Sequence, residues 1–358
     1  MKIGIPRALL YSIYFPLWKV FFMELGHEVI LSNHTNQEIL NNGVKICVDD
    51  ACLPIKIFHG HVTDLIGRVD AILIPRLISI RPEEYICPKF IGLPEMIRYS
   101  VPGSPELLVM DYNAYSSEEK GYEGMYRLGR ELGSPHSSVK HALNKAGLRQ
   151  AAYFREMEKG FHPMEIMKRM NHPSERYNTW YKDSFCTNAG LPSKMSAKNS
   201  KGTIGLIGHP YLLYDRYINM NICNKLAARG YKIRFPENST QEKVDGACSR
   251  YPKKLFWSYG KRLLGAGLSM MESREISGLI LLTSFGCGID AFIDELLIRA
   301  NHREFGIPLT TITLDEHTGQ AGFDTRLEAF IDMMEWRSRY DNHISPHGAH
   351  LYSGQGPV

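Results

Sequence analysis

Short apolar runs alternate with stretches of helical spacing along the first hundred residues. Asp70–Ile74 is continuously apolar, which is typical of a buried parallel strand, and Pro75 and Arg76 are expected to end it. From about Ile55 to Leu65 the apolar residues recur at helical spacing and predict a helix. The same patterns predict two further strands and one further helix, at Lys2–Ile5, Glu28–Ser32 and Tyr11–Leu25.

The alternation of strand and helix patterns begins again near residue 203. Two successive runs of this kind predict two doubly wound α/β domains that face each other. The predicted strands of the second run are Thr203–Ile207, Tyr231–Phe235, Gly278–Leu282 and Leu309–Leu314. Its predicted helices are one that follows the loop at His209 and runs through Leu226, then Asp290–Arg299 and Arg326–Trp336.

Between these two runs the chain is polar and rich in Lys, Arg, Glu, Met and Tyr. Helical patterns such as Leu143–Gly160 predict a mostly helical insert or connector without a buried strand. The predicted organisation is an N-terminal α/β domain at 1–103, a helical insert at 104–198, a C-terminal α/β domain at 199–340 and a polar tail at 341–358.

Composition restricts the class of protein. Hydrophobic residues make up 44% and charged residues 22% of the 358 positions, which is typical of a globular protein. The balance of 42 basic and 38 acidic residues does not indicate a nucleic-acid partner. No apolar run approaches the ~18 residues that span a membrane. The N-terminus lacks a small-residue cleavage site and contains prolines, so it does not predict a signal peptide, and we expect a cytoplasmic protein.

Seven cysteines in a cytoplasmic protein indicate metal binding or catalysis rather than disulfides. Cys52 lies just before a predicted helix, and Cys87 lies in the loop region after a predicted strand. Cys287 lies between a predicted strand and the helix that follows it. Because ligands of open α/β sheets bind beyond the carboxyl ends of the strands, we expect these three cysteines at one functional edge.

The local sequences around these cysteines suit thiolates that bind a metal. Proline follows Cys52 and Cys87 closely and makes the turn rigid, while glycines on both sides of Cys287 let backbone amides approach a cluster. Buried cysteines that pack as small hydrophobic groups are the alternative. Zinc sites usually show closely paired Cys or His residues. Cys47 is a candidate for a fourth ligand or a neighbour of Cys52.

Nucleotide-binding motifs are missing from the sequence. It has no Gly-rich phosphate loop that ends in Lys-Ser or Lys-Thr. Gly205 and Gly208 lack the third glycine of a dinucleotide fingerprint, and no Ser or Cys lies in a nucleophile elbow. We therefore expect that this chain does not hydrolyse ATP itself.

Several phrases occur in order along the chain. They are GIPRALL at Gly4–Leu10, DACLPIK at Asp50–Lys56, CPKFIGLP at Cys87–Pro94, GHPYLLYD at Gly208–Asp215, SFGCG at Ser284–Gly288 and DEHTG at Asp315–Gly319. In these phrases the chain resembles the uncharacterised proteins named CoA-substrate-specific enzyme activase. Those proteins are placed in the superfamily of 2-hydroxyacyl-CoA dehydratases and double-cubane cluster proteins, and the resemblance runs from about residue 2 to residue 336.

The resemblance implies two flavodoxin-like domains with an iron–sulfur cluster in the cleft between them, bound by Cys52, Cys87 and Cys287. In such relatives the cluster is 4Fe-4S, with its fourth iron position left to water or substrate, or a double-cubane 8Fe cluster. Low-potential electrons come from a separate ATP-dependent activase or reductase that has its own iron–sulfur cluster. The resemblance also implies a homodimer.

The resemblance leaves several functions open. The first is ATP-driven reduction of a small-molecule substrate at an open cluster. The second is a subunit that dehydrates a 2-hydroxyacyl-CoA, and the third is a non-catalytic iron–sulfur carrier or assembly module. A zinc-binding or metal-free binding protein is a fourth.

Four further residues are expected near the cluster as catalytic residues, because each lies just beyond a predicted strand. The alternative roles are a loop salt bridge for Arg7 and a helix-cap contact for Glu316. The four residues are Arg7, His209, Glu316 and His317.

Overall fold

The computed structural model describes residues 1–170 and 200–339. The first half contains a sheet of four parallel strands, β1 (Lys2–Ile5), β2 (Glu28–Leu31), β3 (Ala71–Ser79) and β4 (Glu106–Asn113). Their order in the sheet is β2-β1-β3-β4, so the chain adds strands first on one side of β1 and then on the other. This is the winding of flavodoxin-like domains.

The second half repeats this arrangement. Its strands are β5 (Gly202–Ile207), β6 (Tyr231–Arg234), β7 (Gly278–Ser284) and β8 (Leu309–Leu314). They are parallel and have the order β6-β5-β7-β8. Every residue of the central strand β7 is buried, as expected for a strand with layers on both faces. The two sheets confirm the prediction of two doubly wound, flavodoxin-like α/β domains.

Helices connect the strands. The first half contains α1 (Tyr11–Glu24), α2 (Gln37–Ile46), α3 (Leu53–Leu65), α4 (Pro88–Ile91) and α5 (Leu93–Ser100). The stretch between the sheets contains α6 (Glu123–Glu131), α7 (His136–Glu158) and α8 (Pro163–Met170). The second half contains α9 (Pro210–Leu213), α10 (Ile222–Ala228), α11 (Gln241–Cys248), α12 (Ser258–Glu272), α13 (Gly288–Ala300) and α14 (Gln320–Arg339).

One sequence prediction about strands is wrong. β3 does not end at Pro75 and Arg76, because β1 pairs with it only at Ala71 and Ile72, and proline is tolerated where a strand has lost a partner on one side. The sequence predicts no strand of the buried type at 104–198, and β4 lies there as a strand at the edge of the first sheet. This edge strand pairs with β3 alone and buries only two of its residues, so it lacks a continuous apolar run.

The predicted helix that runs through Leu226 is also different, because it is divided into α9 and α10. Met220 and Asn221 precede α10 with positive φ angles of 51° and 57°, which a helix cannot continue through. The helices α6, α7 and α8 confirm a helical insert. The predicted domain boundaries stay predictions. Two predicted segments lie outside the described residues, namely residues 171–199 of the insert and the polar tail at 341–358. None of the described helices has the length and apolar character needed to cross a membrane.

Side chains of helix α7 form hydrogen bonds with backbone groups of α1 that have no helical partner because of Pro16. Pro16 lies inside α1 and has no N–H to donate to the carbonyl of Ser12. The buried Tyr153 hydroxyl donates to that carbonyl at 2.6 Å. The side-chain amide of Gln150 accepts from Leu17 N–H at 3.2 Å and donates to the carbonyl four residues earlier at 2.8 Å. The insert is therefore bonded directly to the first α/β unit.

A close crossing of two glycines holds α3, the helix that begins after Cys52, against α2. A Cβ atom added to Gly60 would lie 1.9 Å from the carbonyl oxygen of Ile39. A Cβ atom added to Gly43 would lie 1.9 Å from the carbonyl oxygen of Lys56. Both neighbours are backbone and cannot move aside as a side chain does, so only glycine fits. The crossing thereby fixes the start of α3.

Gly60→Ala is expected to lower the free energy of unfolding by about 1–3 kcal/mol, because the two helix backbones must move apart. Gly147→Ala is the matched control, since Gly147 lies in α7 with no atom within 4 Å of an added Cβ. That change is expected to be neutral or stabilising by up to about 1 kcal/mol. Urea unfolding followed by circular dichroism measures both, and equal stabilities of the two variants would contradict the close crossing.

Candidate metal centre

The three predicted ligand cysteines each stand directly before a helix. Cys52 is the N-cap residue of α3, Cys87 of α4 and Cys287 of α13. Proline occupies one of the first two positions of α3 and of α4, where its missing N–H costs no helical hydrogen bond. Each sulfur atom therefore lies close to backbone N–H groups of a first helical turn, which favour negative charge.

These cysteines come from both halves of the chain and meet at one place. Burial raises the pKa of Cys287, and the nearby Asp290, Cys52 and Cys87 raise it further. Gly286 has a φ of 74°, a conformation that favours glycine, and a Cβ atom added there would lie 3.9 Å from the Cα of Cys52. The loop between β7 and α13 thus reaches the start of α3. The structure brings the three cysteines together.

Burial has the largest effect on all three thiols and raises the pKa of Cys52, of Cys87 and of Cys287. The Asp290 carboxylate raises each pKa further, while the Lys89 ammonium lowers the pKa of Cys52 and of Cys87. At neutral pH these thiols are therefore protonated unless a cation is bound. A metal reverses this preference, because its positive charge stabilises the thiolate form.

His209 and Asp290 form a buried pair beside Cys287, with side chains only 3% and 4% exposed. Nδ1 of His209 lies 3.3 Å from Oδ1 of Asp290, but this buried nitrogen completes no hydrogen bond of normal geometry. Oδ2 of Asp290 accepts the backbone N–H of Ser284 at 3.0 Å. The ligand atoms of His209, Cys287 and Asp290 all lie within 4.8 Å of one another, so they are able to share one metal centre.

Aromatic side chains line this group. Tyr211 is buried, and its ring centroid lies 5.0 Å from that of His209 and 6.4 Å from that of Phe90. Burial raises the pKa of Tyr211 well above its usual range, and Asp290 and the three cysteines raise it further. The ring of Tyr259, also buried, lies 5.9 Å from His209. The two tyrosine rings therefore form an apolar wall beside His209.

Glu316 and His317 lie in different surroundings. Glu316 forms an ion pair with Lys56, a buried residue in the first turn of α3, and so connects the end of β8 with the helix that begins after Cys52. His317 is exposed, and its backbone N–H donates to Asp315 Oδ1 at 3.0 Å. The structure therefore links Glu316 to the helix of one candidate ligand, whereas His317 lies at the surface.

Cys47 is buried at the end of α2. Burial raises its pKa, and the nearby Lys56 lowers it while Cys52 raises it. Cys47 is therefore a neighbour of Cys52 on the side of the first sheet. Its role as a fourth ligand stays a prediction.

Arg7 belongs to a polar network at the end of β1. Its guanidinium group bonds to the ring of His34, with 2.7 Å to Nε2, and its backbone N–H donates to Oγ of Ser32 at 2.8 Å. The Ser32 hydroxyl in turn bonds to Nδ1 of the buried His61 at 2.8 Å. The structure thus places Arg7 in a hydrogen-bonded network with the loop after β2, and its catalytic role stays a prediction.

This network continues into the second half of the chain. Nε2 of His61 bonds to the Thr35 hydroxyl at 3.0 Å, and that hydroxyl donates to the carboxylate of Asp215. Because Thr35 donates to Asp215, its oxygen accepts from an Nε2–H of His61, and Nδ1 is then the acceptor for Ser32. A single neutral tautomer of His61 satisfies every group in this series. The series joins the loop after β2 to the loop that follows α9.

Sequence reasoning missed Asp290 and Tyr211 as residues of the site. Asp290 lies in the first turn of α13, where an acidic residue is usually explained by the helix dipole alone. Its spacing of three residues from Cys287 is the signal that could have found it, because that spacing returns a side chain to the helix start. Tyr211 follows His209 within the phrase GHPYLLYD, but nothing in the pattern indicates that its ring packs against that of His209.

The geometry defines an α/β protein of two doubly wound domains with a candidate metal centre of three cysteines and a buried His–Asp pair. The chain belongs to the family described as the CoA enzyme activase uncharacterised domain, whose model matches residues 2–238. The matched region includes Cys52, Cys87 and His209, while Cys287 follows it. The family description relates the chain to an activase-related role with an enzyme partner. Comparison with curated proteins found no match.

The His61 network predicts a specific loss of stability in acid. Burial lowers the pKa of His61 to about 3, and the charge of Arg7 lowers it as well. An unfolded chain takes up this proton near pH 6.5, whereas the folded chain does so only near pH 3. The stabilisation is therefore complete above about pH 6.5 and falls by up to roughly 1.4 kcal/mol per pH unit below it.

Urea unfolding at pH 7, 6 and 5 measures this slope. His61→Gln is expected to show a shallower fall in stability than the unsubstituted protein, because glutamine does not titrate. His141→Gln, at an exposed position of α7, is the matched control and is expected to keep the original slope. Parallel slopes for the His61→Gln variant and the unsubstituted protein would show that His61 does not carry this dependence.

Proposed function

We propose that this chain is an iron–sulfur protein of the 2-hydroxyacyl-CoA dehydratase and double-cubane cluster superfamily. In this proposal Cys52, Cys87 and Cys287 bind a 4Fe-4S cluster or a double-cubane 8Fe cluster. The observation that carries the proposal is the proximity of three cysteines, one buried and two half-buried, which three separate loops of two α/β units supply at helix N-termini.

The chemistry of the donor set fits such a cluster. Iron–sulfur clusters are held by thiolates, and hydrogen bonds from backbone amides and exclusion of solvent adjust their potential. Cys52 is buried, Cys87 and Cys287 are half-buried, and the amides that follow the three cysteines lie close to the sulfurs. Tyr211 and Tyr259 supply the apolar lining. Thiols with raised pKa values, gathered around one point, are in the state that a metal cluster converts to thiolates.

Three cysteines leave one iron of a cubane without a thiolate. A cluster held by these cysteines would have an iron open to a small molecule and would supply low-potential electrons there, and we propose reduction of a small-molecule substrate as the reaction. His209 has the strongest support as a residue beside this position, because one of its ring nitrogens lies within 4.8 Å of the Cys287 sulfur and of a carboxylate oxygen of Asp290. Arg7, Glu316 and His317 stay predicted members of the substrate site.

The electron donor in this proposal is a separate ATP-dependent activase or reductase with its own iron–sulfur cluster. The chain has no phosphate-binding loop, so the hydrolysis of ATP is assigned to the partner. We further propose a homodimer as the working form.

The test is purification without oxygen, followed by measurement of iron, zinc and acid-labile sulfide per subunit and by electron paramagnetic resonance after reduction. About four irons per subunit would support a single cubane, and about eight would support the double cubane. Zinc in place of iron, or no iron after anaerobic reconstitution with iron and sulfide, would refute the proposal.

Cys287→Ala is expected to lose nearly all iron, because one of three protein ligands is removed. Cys223→Ala is the matched control, since Cys223 is buried on α10 and packs in the hydrophobic core. It is expected to keep its full iron content. If Cys287→Ala also keeps full iron content, the proposed ligand set is wrong.

A further inference from the structure

The His209 side chain is buried beside Cys287 and Asp290. Only 3% of its surface is exposed, and it stands at the N-terminus of α9 directly after β5. Its Nδ1 atom lies 3.3 Å from Oδ1 of Asp290 without completing a hydrogen bond of normal geometry. A ring nitrogen of His209, the Cys287 sulfur and a carboxylate oxygen of Asp290 all lie within 4.8 Å of one another, close enough to surround one metal.

The neighbours of His209 form a pattern known from metal sites. A histidine that binds a metal with one ring nitrogen usually directs its other ring nitrogen to a carboxylate, which fixes the orientation of the ring. Asp290 provides such a carboxylate, with Oδ1 at 3.3 Å from Nδ1. Asp290 is itself held by the backbone N–H of Ser284 and lies in the turn that follows Cys287. One short loop thus supplies a thiol and the carboxylate that orients the histidine.

We propose that the His209 imidazole, oriented by Asp290, is the fourth protein ligand of this metal centre and completes a set of three cysteines and one histidine. The inference rests on the proposed function, because it assumes a cluster on Cys52, Cys87 and Cys287. It adds that the iron without a cysteine carries an imidazole when no substrate is bound.

Asp290 is less suited than His209 to be the ligand. Its Oδ2 is engaged by Ser284 N–H, and its position in the first turn of α13 already satisfies its charge through the helix dipole. Imidazole is a neutral donor, whereas a fourth thiolate would add a negative charge to a site that contains three cysteines and Asp290. Histidine ligation raises the potential of an iron–sulfur centre relative to full cysteine ligation. A neutral donor is also exchanged more readily than a thiolate.

The test detects the nitrogen directly in the unsubstituted protein. Protein purified without oxygen, with and without ¹⁵N-labelled histidine, is reduced and studied by pulsed electron paramagnetic resonance. We expect a strong nitrogen hyperfine coupling that changes with the isotope, as a directly bound imidazole gives. His209→Ala is expected to lose this coupling, and addition of free imidazole to that variant is expected to restore it.

Two variants separate ligation from general stability. Asp290→Asn is expected to keep the coupling but to lose iron to a chelator roughly 10–100-fold more readily, because the ring is no longer oriented by a charge. His162→Asn is the matched control, because His162 is also buried but packs against Tyr214 and Phe235. It is expected to keep both the coupling and the iron.

The possible failures are distinguishable. Iron-loaded protein without a histidine nitrogen coupling would overturn the ligand assignment and leave the proposed function intact, as would a coupling that persists in His209→Ala. An unsubstituted protein that binds no iron would overturn the proposed function, and this inference with it. Because the isotope measurement uses the unsubstituted protein, the inference is testable even if His209→Ala does not fold.

Discussion

The structure depends on the cost of gathering three partly desolvated thiols at one place. Burial and mutual repulsion both favour the protonated form of Cys52, Cys87 and Cys287, and Asp290 adds to this preference. Helix N-termini offset only part of the cost. A protein with such a site has ligands in the wrong protonation state until a metal arrives, so metal binding and proton release are one coupled event.

Two features make this gathering geometrically possible. Both sheets have the same winding, with their second strand in sequence at one edge and their fourth at the other, so that each directs equivalent loops toward the junction. Polar contacts then join the halves: Thr35 to Asp215, Lys56 to Glu316, and Lys261 to Glu84 at 2.9 Å. The site is therefore a property of the junction, and neither α/β unit contains the complete donor set.

Much of the fold follows from sequence, because strands buried on both sides are apolar runs with sharp ends. Lys2–Ile5, an inner strand of the first sheet, has the predicted limits for this reason. The sequence did not predict the strand Glu106–Asn113, because an edge strand with one neighbour does not need a continuous apolar run. For the site, sequence order placed the cysteines at strand ends, but the pairing of His209 with Asp290 depends on the distance between two loops 81 residues apart, which local pattern does not encode.

The repair of α1 by the insert has a consequence for the evolution of this chain. Gln150 and Tyr153 form the hydrogen bonds that α1 lacks because of Pro16. A substitution at one of these three positions therefore changes the effect on stability of a substitution at the others. A lineage that replaced Pro16 with alanine would regain the missing backbone donor and release Tyr153 from its bond to Ser12. We therefore expect these three positions to covary among relatives, and the insert to be lost only in lineages that have first lost the proline.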